Sequence, residues 1–185
     1  MRCKALLRHA VLWTLGVFIG LSPMNIAQAV SLQEKIQIHA SRATSSLMLL
    51  RGEGFQKTHQ QRLDADLTAL AGAMQRLAQG NAALTSAHQA LVTQLRNGVS
   101  YGPGEENVPW RFPEDLSRAL RDFLSAARAL PGAEGQSELA AKVEYLSVQY
   151  LSRSYLGTFE IAREQPGTYL GQDERLLLPA IDSEL

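Results

Sequence analysis

The sequence predicts an all-α protein: an antiparallel bundle of about five helices in residues 30–185, preceded by a cleavable signal peptide in residues 1–29. Apolar residues recur at intervals of three and four along most of the chain after residue 30, which is the period of helices with one buried face. Glycines and prolines separate these periodic segments, where they end helices. All six prolines after residue 29 fall at predicted boundaries or in loops, which agrees with the helix assignments.

The first 29 residues have the three parts of a signal peptide. Arg2, Lys4 and Arg8 make a basic beginning, residues 10–21 (AVLWTLGVFIGL) are apolar, and residues 27–29 (AQA) supply a small-x-small cleavage pattern. A membrane-spanning helix needs about 20 apolar residues, and this run is shorter. We therefore expect cleavage after residue 29 and a periplasmic or secreted protein without stable membrane insertion.

Loss of the signal peptide changes the charge and the cysteine content. The chain has 18 basic and 18 acidic side chains, and residues 1–29 hold three of the basic ones and none of the acidic ones. The mature chain would carry a formal charge of −3, which argues against a nucleic-acid partner. It would also lose Cys3, the single cysteine, and with it any disulfide, thiolate nucleophile or sulfur-ligated metal.

The first three helices are predicted from their caps and apolar stripes. Helix one covers 31–51 and begins with a capping box, in which Ser31 and Glu34 each satisfy a free amide at the other residue. Helix two covers 55–79 and has the most regular apolar seam of the chain, with heptad spacing. Helix three covers 81–97 and begins with an asparagine cap.

The segment between helices three and four, residues 98–112, is here named the aromatic loop. It has no periodicity, and it combines glycines and prolines with three aromatic side chains. Its aromatic residues and arginine belong to the types enriched where proteins bind one another. The candidate partner-binding residues are Tyr101, Trp110, Arg111 and Phe112. In the alternative interpretation the loop crosses the end of the bundle, and Trp110 and Phe112 plug it.

Helix four is predicted from Pro113 to about residue 130, and helix five over 137–165. Helix five contains three copies of one five-residue phrase, YLSVQ, YLSRS and YLGTF. A step of five residues turns about 140° around a helix, so Tyr145, Tyr150 and Tyr155 point in three directions. A helix apolar over most of its circumference is typical of a bundle interior. We expect helix five to be long, largely buried and central, and the apolar tail to fold back on the bundle.

The sequence contains no pattern that would indicate an enzyme. Glycine-rich phosphate loops, the HExxH zinc motif and the GxSxG nucleophile motif do not occur. His39, His59 and His88 lie on or beside apolar stripes, but helix pairing would separate them by about 9 to 12 Å along the bundle, too far for one metal ion. We interpret them as core or boundary residues, and we expect no metal and no cofactor.

The sequence therefore favours an exported, non-enzymatic protein that binds another exported protein through the aromatic loop. Accessory factors, chaperones, inhibitors and adaptors all fit this description. The alternative is a helical bundle that binds a small ligand, haem or a metal, including a periplasmic sensor-like domain, with Tyr145, Tyr150 and Tyr155 around a cavity. The architecture alone does not decide between them, because helical bundles serve many functions.

Overall fold

The computed structural model of the chain describes residues 30–77, 81–132 and 137–185, and within these ranges every regular element is helical. The α-helices are α1 (Leu32–Gly52), α2 (Lys57–Leu77), α3 (Ala82–Ser100), α4 (Phe112–Arg128), α5 (Leu139–Leu156) and α6 (Glu174–Asp182). Short 3-10 turns occur at Glu105–Asn107 and Tyr169–Gly171. The predicted all-α class is therefore confirmed. The predicted signal peptide lies outside the described residues, and none of the helices described is long and apolar enough to cross a membrane.

Two hydrogen bonds give the directions of α4 and α5 relative to α1. Gln33, at the start of α1, donates a hydrogen bond to the carbonyl of Leu130, just beyond the end of α4, so these two helices are antiparallel. The first and fifth helices are parallel, because Glu34 at the start of α1 accepts a hydrogen bond from the backbone N–H of Ala140 at the start of α5. The buried apolar residues form one cluster, to which all six helices contribute.

The central helix of the bundle is α1. It contacts α2, α3, α4 and α5, and fourteen of its 21 residues are buried. By contrast, α5 has six buried residues out of 18, and Tyr150 on its outer face is 51% exposed. The prediction of a largely buried, central fifth helix is therefore wrong.

The position of α1 is hard to recognise in the sequence because half of what it buries is polar. The buried polar residues of α1 are Gln33, Glu34, Gln37, Ser41, Thr44, Ser45 and Ser46. The hydroxyl of Thr44 donates to the carbonyl of Ala40 at 2.9 Å, and the hydroxyl of Ser46 donates to Asp66 of α2 at 2.6 Å. Small hydroxyl side chains allow close helix contact, and these two hydrogen bonds lower the cost of burying Thr44 and Ser46. The hydroxyls of Ser41 and Ser45 have no hydrogen-bond partner within the described ranges.

The first turn of α1 caps its neighbours as well as itself. Ser31 accepts a hydrogen bond from the backbone N–H of Glu34 at 3.0 Å, which is one half of the predicted capping box. The other half is not formed, because the Glu34 carboxylate accepts from Ala140 of α5 instead. Gln33 donates to the carbonyls of Leu130 and Pro131 after α4. One helical turn thus satisfies backbone groups at the ends of two other helices.

Helix α5 ends at Leu156, nine residues earlier than predicted. Gly157 follows with φ of +73°, a left-handed conformation that glycine adopts readily and that commonly ends helices. The chain beyond it turns inward, where Phe159 and Ala162 are buried. The apolar tail folds back as predicted, and part of it forms α6, which packs on α5. The extension of the fifth helix to residue 165 is therefore wrong, because the left-handed turn at Gly157 changes the direction of the chain.

Candidate partner-binding groove

The aromatic loop is fixed to the bundle at its ends. Phe112 is 2% exposed and lies against Gly98 of α3, where a β-carbon would come within 2.8 Å of the phenyl ring. The ring of Tyr101 meets Phe112 edge-on, with centroids 5.4 Å apart. These contacts bury two of the four candidate partner-binding residues wholly or in part. Phe112 therefore fills the bundle end, as one interpretation of the loop predicted.

Trp110 does not fill the bundle end, although the same interpretation included it. Its side chain is 82% exposed, the highest value among the large apolar residues of the described ranges except Leu185. The guanidinium of Arg111 lies over the indole ring, 5.3 Å from its centroid, and also approaches Glu114 at 3.5 Å. The remaining two candidate residues thus form an exposed pair, in which the arginine holds the ring from one side.

An open groove of about 540 Å³ runs beside Trp110. Its walls come from three parts of the chain: the aromatic loop, the end of α1 and the end of α5. The side chains that line it include Arg51, Glu105, Pro109, Trp110, Tyr155 and Leu156. We name this surface the end groove. It is the place where a residue of the tyrosine repeat meets the aromatic loop.

Tyr155 has a fixed position in the end groove because it packs on a glycine of α1. Its ring occupies the space in which a β-carbon of Gly52 would lie, so any other residue there would displace the ring. The hydroxyl of Tyr155 donates a hydrogen bond to the carboxylate of Glu53, and this interaction raises the pKa of the tyrosine hydroxyl. Gly52 and Glu53 therefore set the orientation of one wall of the groove.

Arg51 connects α1 to the aromatic loop. Its guanidinium donates to the carbonyl of Gly98 at 2.7 Å and to the carbonyl of Gly102 at 3.0 Å. Burial lowers the pKa of this arginine, and the carboxylate of Glu105 opposes that effect. Hydrogen bonds from a charged group to backbone carbonyls hold a loop more firmly than neutral ones do. Arg51 thus anchors the first part of the aromatic loop, and the buried Phe112 anchors its end.

The three tyrosines of the repeat lie in three different environments. Tyr145 is buried, and its hydroxyl donates to the carbonyl of Leu170 at 3.2 Å. Its ring meets Tyr169 edge-on at 5.2 Å, and burial raises its pKa. Tyr150 is on the outer face of α5, whereas Tyr155 lines the end groove. The three do not surround one cavity, so the ligand-binding alternative gains no support from them.

The histidines also lie apart from one another. His88 of α3 is half-buried against Phe123 of α4, with ring centroids 6.0 Å apart, and burial lowers its pKa. His39 of α1 has a pKa lowered by partial burial, to which nearby Arg42 contributes. Within the described ranges, no group of three or more histidine, cysteine or acidic side chains is arranged to hold a metal ion.

Sequence reasoning found Trp110 and Arg111 but missed Arg51, Gly52 and Tyr155 as their neighbours. Arg51 and Gly52 end α1, and this pair is the sequence signal for these contacts. An arginine and a glycine at a helix end can both contact a loop that crosses there. Recognising it requires knowing that the ends of α1 and α5 are level, which follows only from their parallel packing.

Comparison with protein-family models, with curated proteins and with solved structures finds no match to this chain. The fold and the groove are therefore interpreted from the residues themselves, without a function transferred from a relative.

Proposed function

We infer that this protein is an exported, non-enzymatic helical bundle that binds another exported protein through the end groove. The observation that carries this proposal is the exposure of Trp110, at 82%, on a loop that Phe112 and Arg51 hold in place. A large aromatic side chain presented on a fixed backbone loses little conformational freedom when it is buried by a partner. Tryptophan is also among the residues that contribute most to protein interfaces.

The rest of the groove supports the same proposal. Tyr155 and Leu156 add apolar surface beside Trp110 in the same opening. The role of an accessory factor, chaperone, inhibitor or adaptor needs a surface of this kind and no catalytic group. Export is supported by the basic, apolar and small-residue parts of residues 1–29.

The proposal is tested by capturing partner proteins from the cells that produce this protein. The full chain, tagged at its carboxyl end, is compared with Trp110→Ala and with the matched control Tyr150→Ala, which removes an exposed aromatic side chain from another face. Cell fractionation should find the protein outside the cytoplasm. We expect the wild type and Tyr150→Ala to retain the same partner and Trp110→Ala to lose it.

Retention of an identical set of proteins by Trp110→Ala would contradict the proposed role of the groove. Phe112 is not a suitable site for this test, because its side chain is in the core and its removal would weaken the fold together with any interface.

A further inference from the structure

We propose that the end groove takes an extended, proline-containing segment of the partner protein that carries basic side chains. This inference rests on the proposed function, since it states the chemistry of the partner that the groove would bind. It is carried by three features of the groove: its aromatic lining, a free hydrogen-bond donor and the charge at its rim.

The lining of the groove fits a polyproline segment. Trp110 and Tyr155 line the same opening, with Pro109 and Leu156 beside them. Grooves lined by aromatic side chains bind proline-rich segments, because flat rings pack against the pyrrolidine rings and the ligand backbone is already restricted. The two aromatic rings are held from behind, by Arg111 and by Gly52. The surface is thus formed before a partner arrives.

The indole N–H of Trp110 is a donor without an acceptor in the described part of the chain. The interaction found for this side chain is the contact with Arg111, and no hydrogen bond accompanies it. Tryptophan at an interface normally donates this N–H to a partner. A polyproline II segment has no internal hydrogen bonds, so its carbonyls are free to accept, whereas most carbonyls of a helix are already engaged. This favours an extended segment over a helical one.

The rim of the groove has an excess of exposed carboxylates. Glu105 lines it, Glu106 lies next in the chain with its carboxylate folded over Gly104, and Glu53 accepts from Tyr155 at the opposite side. All three glutamates are exposed.

Two arginines lie nearby, but both have partners. The guanidinium of Arg51 is turned to the carbonyls of Gly98 and Gly102, and Arg111 is shared between Trp110 and Glu114. These contacts orient the two guanidinium groups without removing their charge, so the three rim glutamates outnumber the arginines by one and leave a negative excess. Complementary charge selects partners and speeds association, so the segment should carry lysine or arginine beside its prolines.

The test uses three synthetic peptides of about ten residues, each about 30 Å long when extended as a polyproline II helix. The first is proline-rich with arginine at both ends, the second has glutamate in place of arginine, and the third has alanine in place of proline. The protein is the full chain with Trp13→Phe, so that Trp110 is the sole tryptophan and its fluorescence reports binding. Affinity is measured independently by the anisotropy of labelled peptide.

We expect the basic proline peptide to bind about tenfold more tightly than the acidic one at low salt, and this ratio to shrink at about 0.5 M salt, where surface charges are screened. The proline-free peptide should bind more weakly than its proline counterpart. Trp110→Ala should abolish binding, whereas Tyr150→Ala should leave it unchanged.

A matched pair of double variants isolates the charge at the rim. Glu105→Gln with Glu106→Gln should reduce the preference for the basic peptide, and Glu160→Gln with Glu164→Gln, at exposed glutamates of a different groove, should preserve it. Equal or tighter binding of the acidic peptide, equal binding of the proline-free peptide, or no binding of any peptide would overturn the inference. The proposed function would survive each of these results if capture of a partner protein still required Trp110, and would fail if that capture did not.

Discussion

The carboxylate of Glu34 in α1 accepts a hydrogen bond from the backbone N–H of Ala140 in α5, with the two atoms 3.2 Å apart. Glu34 is buried and lies where two helices begin side by side. The residue before α5, Glu138, gives that helix no side-chain cap, although the hydroxyl of Ser137 accepts from the backbone N–H of Leu139 at 3.3 Å. The first helix thus caps the fifth across the bundle, and this relationship has a measurable pH dependence.

Burial raises the pKa of the Glu34 carboxyl above its ordinary value of 4.5, and the backbone amides of Ala141 and Ala140 offset part of this rise. Folding therefore favours the protonated form. The corresponding stability is fully present below the unfolded pKa of 4.5 and is lost as the pH rises through the higher folded pKa. Glu34→Gln keeps an acceptor for Ala140 but cannot ionise.

We expect Glu34→Gln to flatten the pH dependence of unfolding above pH 4.5, and to be at least as stable as the wild type at neutral pH. Urea unfolding across this range measures both effects. Glu160→Gln, at an exposed carboxylate, is the control and should follow the wild type. Glu34→Ala removes the acceptor as well, and should cost about 1 kcal/mol of unfolding free energy. If the unfolding free energy of Glu34→Gln fell more steeply with rising pH than that of the wild type, folding would favour the charged form of the Glu34 carboxyl.

Two glycines within helices should respond in opposite ways to alanine. A β-carbon at Gly98 of α3 would lie 2.6 Å from Leu47 and 2.8 Å from Phe112, both buried, whereas one at Gly72 of α2 would meet nothing within 4 Å. Alanine gains about 1 kcal/mol over glycine within a helix. Overpacking a core costs roughly 1 to 3 kcal/mol.

Gly72→Ala should therefore raise the unfolding free energy by about 0.5 to 1 kcal/mol, and Gly98→Ala should lower it by about 1 kcal/mol after both effects. Chemical denaturation of the two variants gives both values. An increase in stability for Gly98→Ala would mean that α3 can move away from Leu47 of α1 and Phe112 of α4 at little cost, which would contradict close packing at this point.

Neighbouring aromatic residues of the aromatic loop should differ widely in their contribution to stability. Phe112 is buried and Trp110 is exposed. We expect Phe112→Ala to cost about 3 to 5 kcal/mol of unfolding free energy, since it empties part of the core. Trp110→Ala should change it by less than about 0.5 kcal/mol. Thermal or urea unfolding separates these outcomes, and a large loss for Trp110→Ala would mean that this side chain supports the fold and not an interface.

For His88 we expect the unfolding free energy to change with pH in the direction opposite to that expected for Glu34. Burial lowers the pKa of His88 from 6.5, and Arg96 lowers it further, so folding favours the neutral ring. The stability that follows is present above pH 6.5 and is lost as the pH falls through the folded pKa. The Nε2 atom has no hydrogen-bond partner in the described part of the chain, so its removal breaks no hydrogen bond.

The stability of His88→Leu minus that of the wild type should therefore be larger at about pH 5 than at about pH 7.5, because leucine has no ring to protonate. Melting temperatures at the two pH values measure the difference. An advantage of His88→Leu that is equal at both pH values would assign the gain to packing alone.

The sequence predicts most helix boundaries well because local signals determine them. Asn81 accepts a hydrogen bond from the backbone N–H of Leu84 at 2.8 Å, which confirms the predicted cap of α3. Helices one to four begin and end within about three residues of their predicted limits, apart from the three residues after Leu77 that lie outside the described ranges. Caps and breakers act within a few residues, so one sequence is enough to recognise them.

What the sequence does not reveal is which helix the others surround. Counting apolar residues favours the fifth helix, but the first is central because its serines and threonine fit close helix contacts and its Gln33 and Glu34 satisfy neighbouring helix ends. The end groove was missed for the same reason. Its parts come from three segments whose proximity depends on α1 and α5 lying parallel, a tertiary relationship without a local signature.

The central position of α1 has a consequence for how the chain acquires its structure. The contacts of α1 are completed by segments far along the chain: Glu34 bonds a residue 106 positions further on, and Tyr169 bonds Gln37 across 132 positions. Such long sequence separations slow folding, because distant segments must meet before the interior closes. A shortened chain that ended before α5 would leave Glu34 and Gln37 of α1 without these two partners. The packing around α1 is therefore completed only when the segment that holds α5 and Tyr169 has joined it.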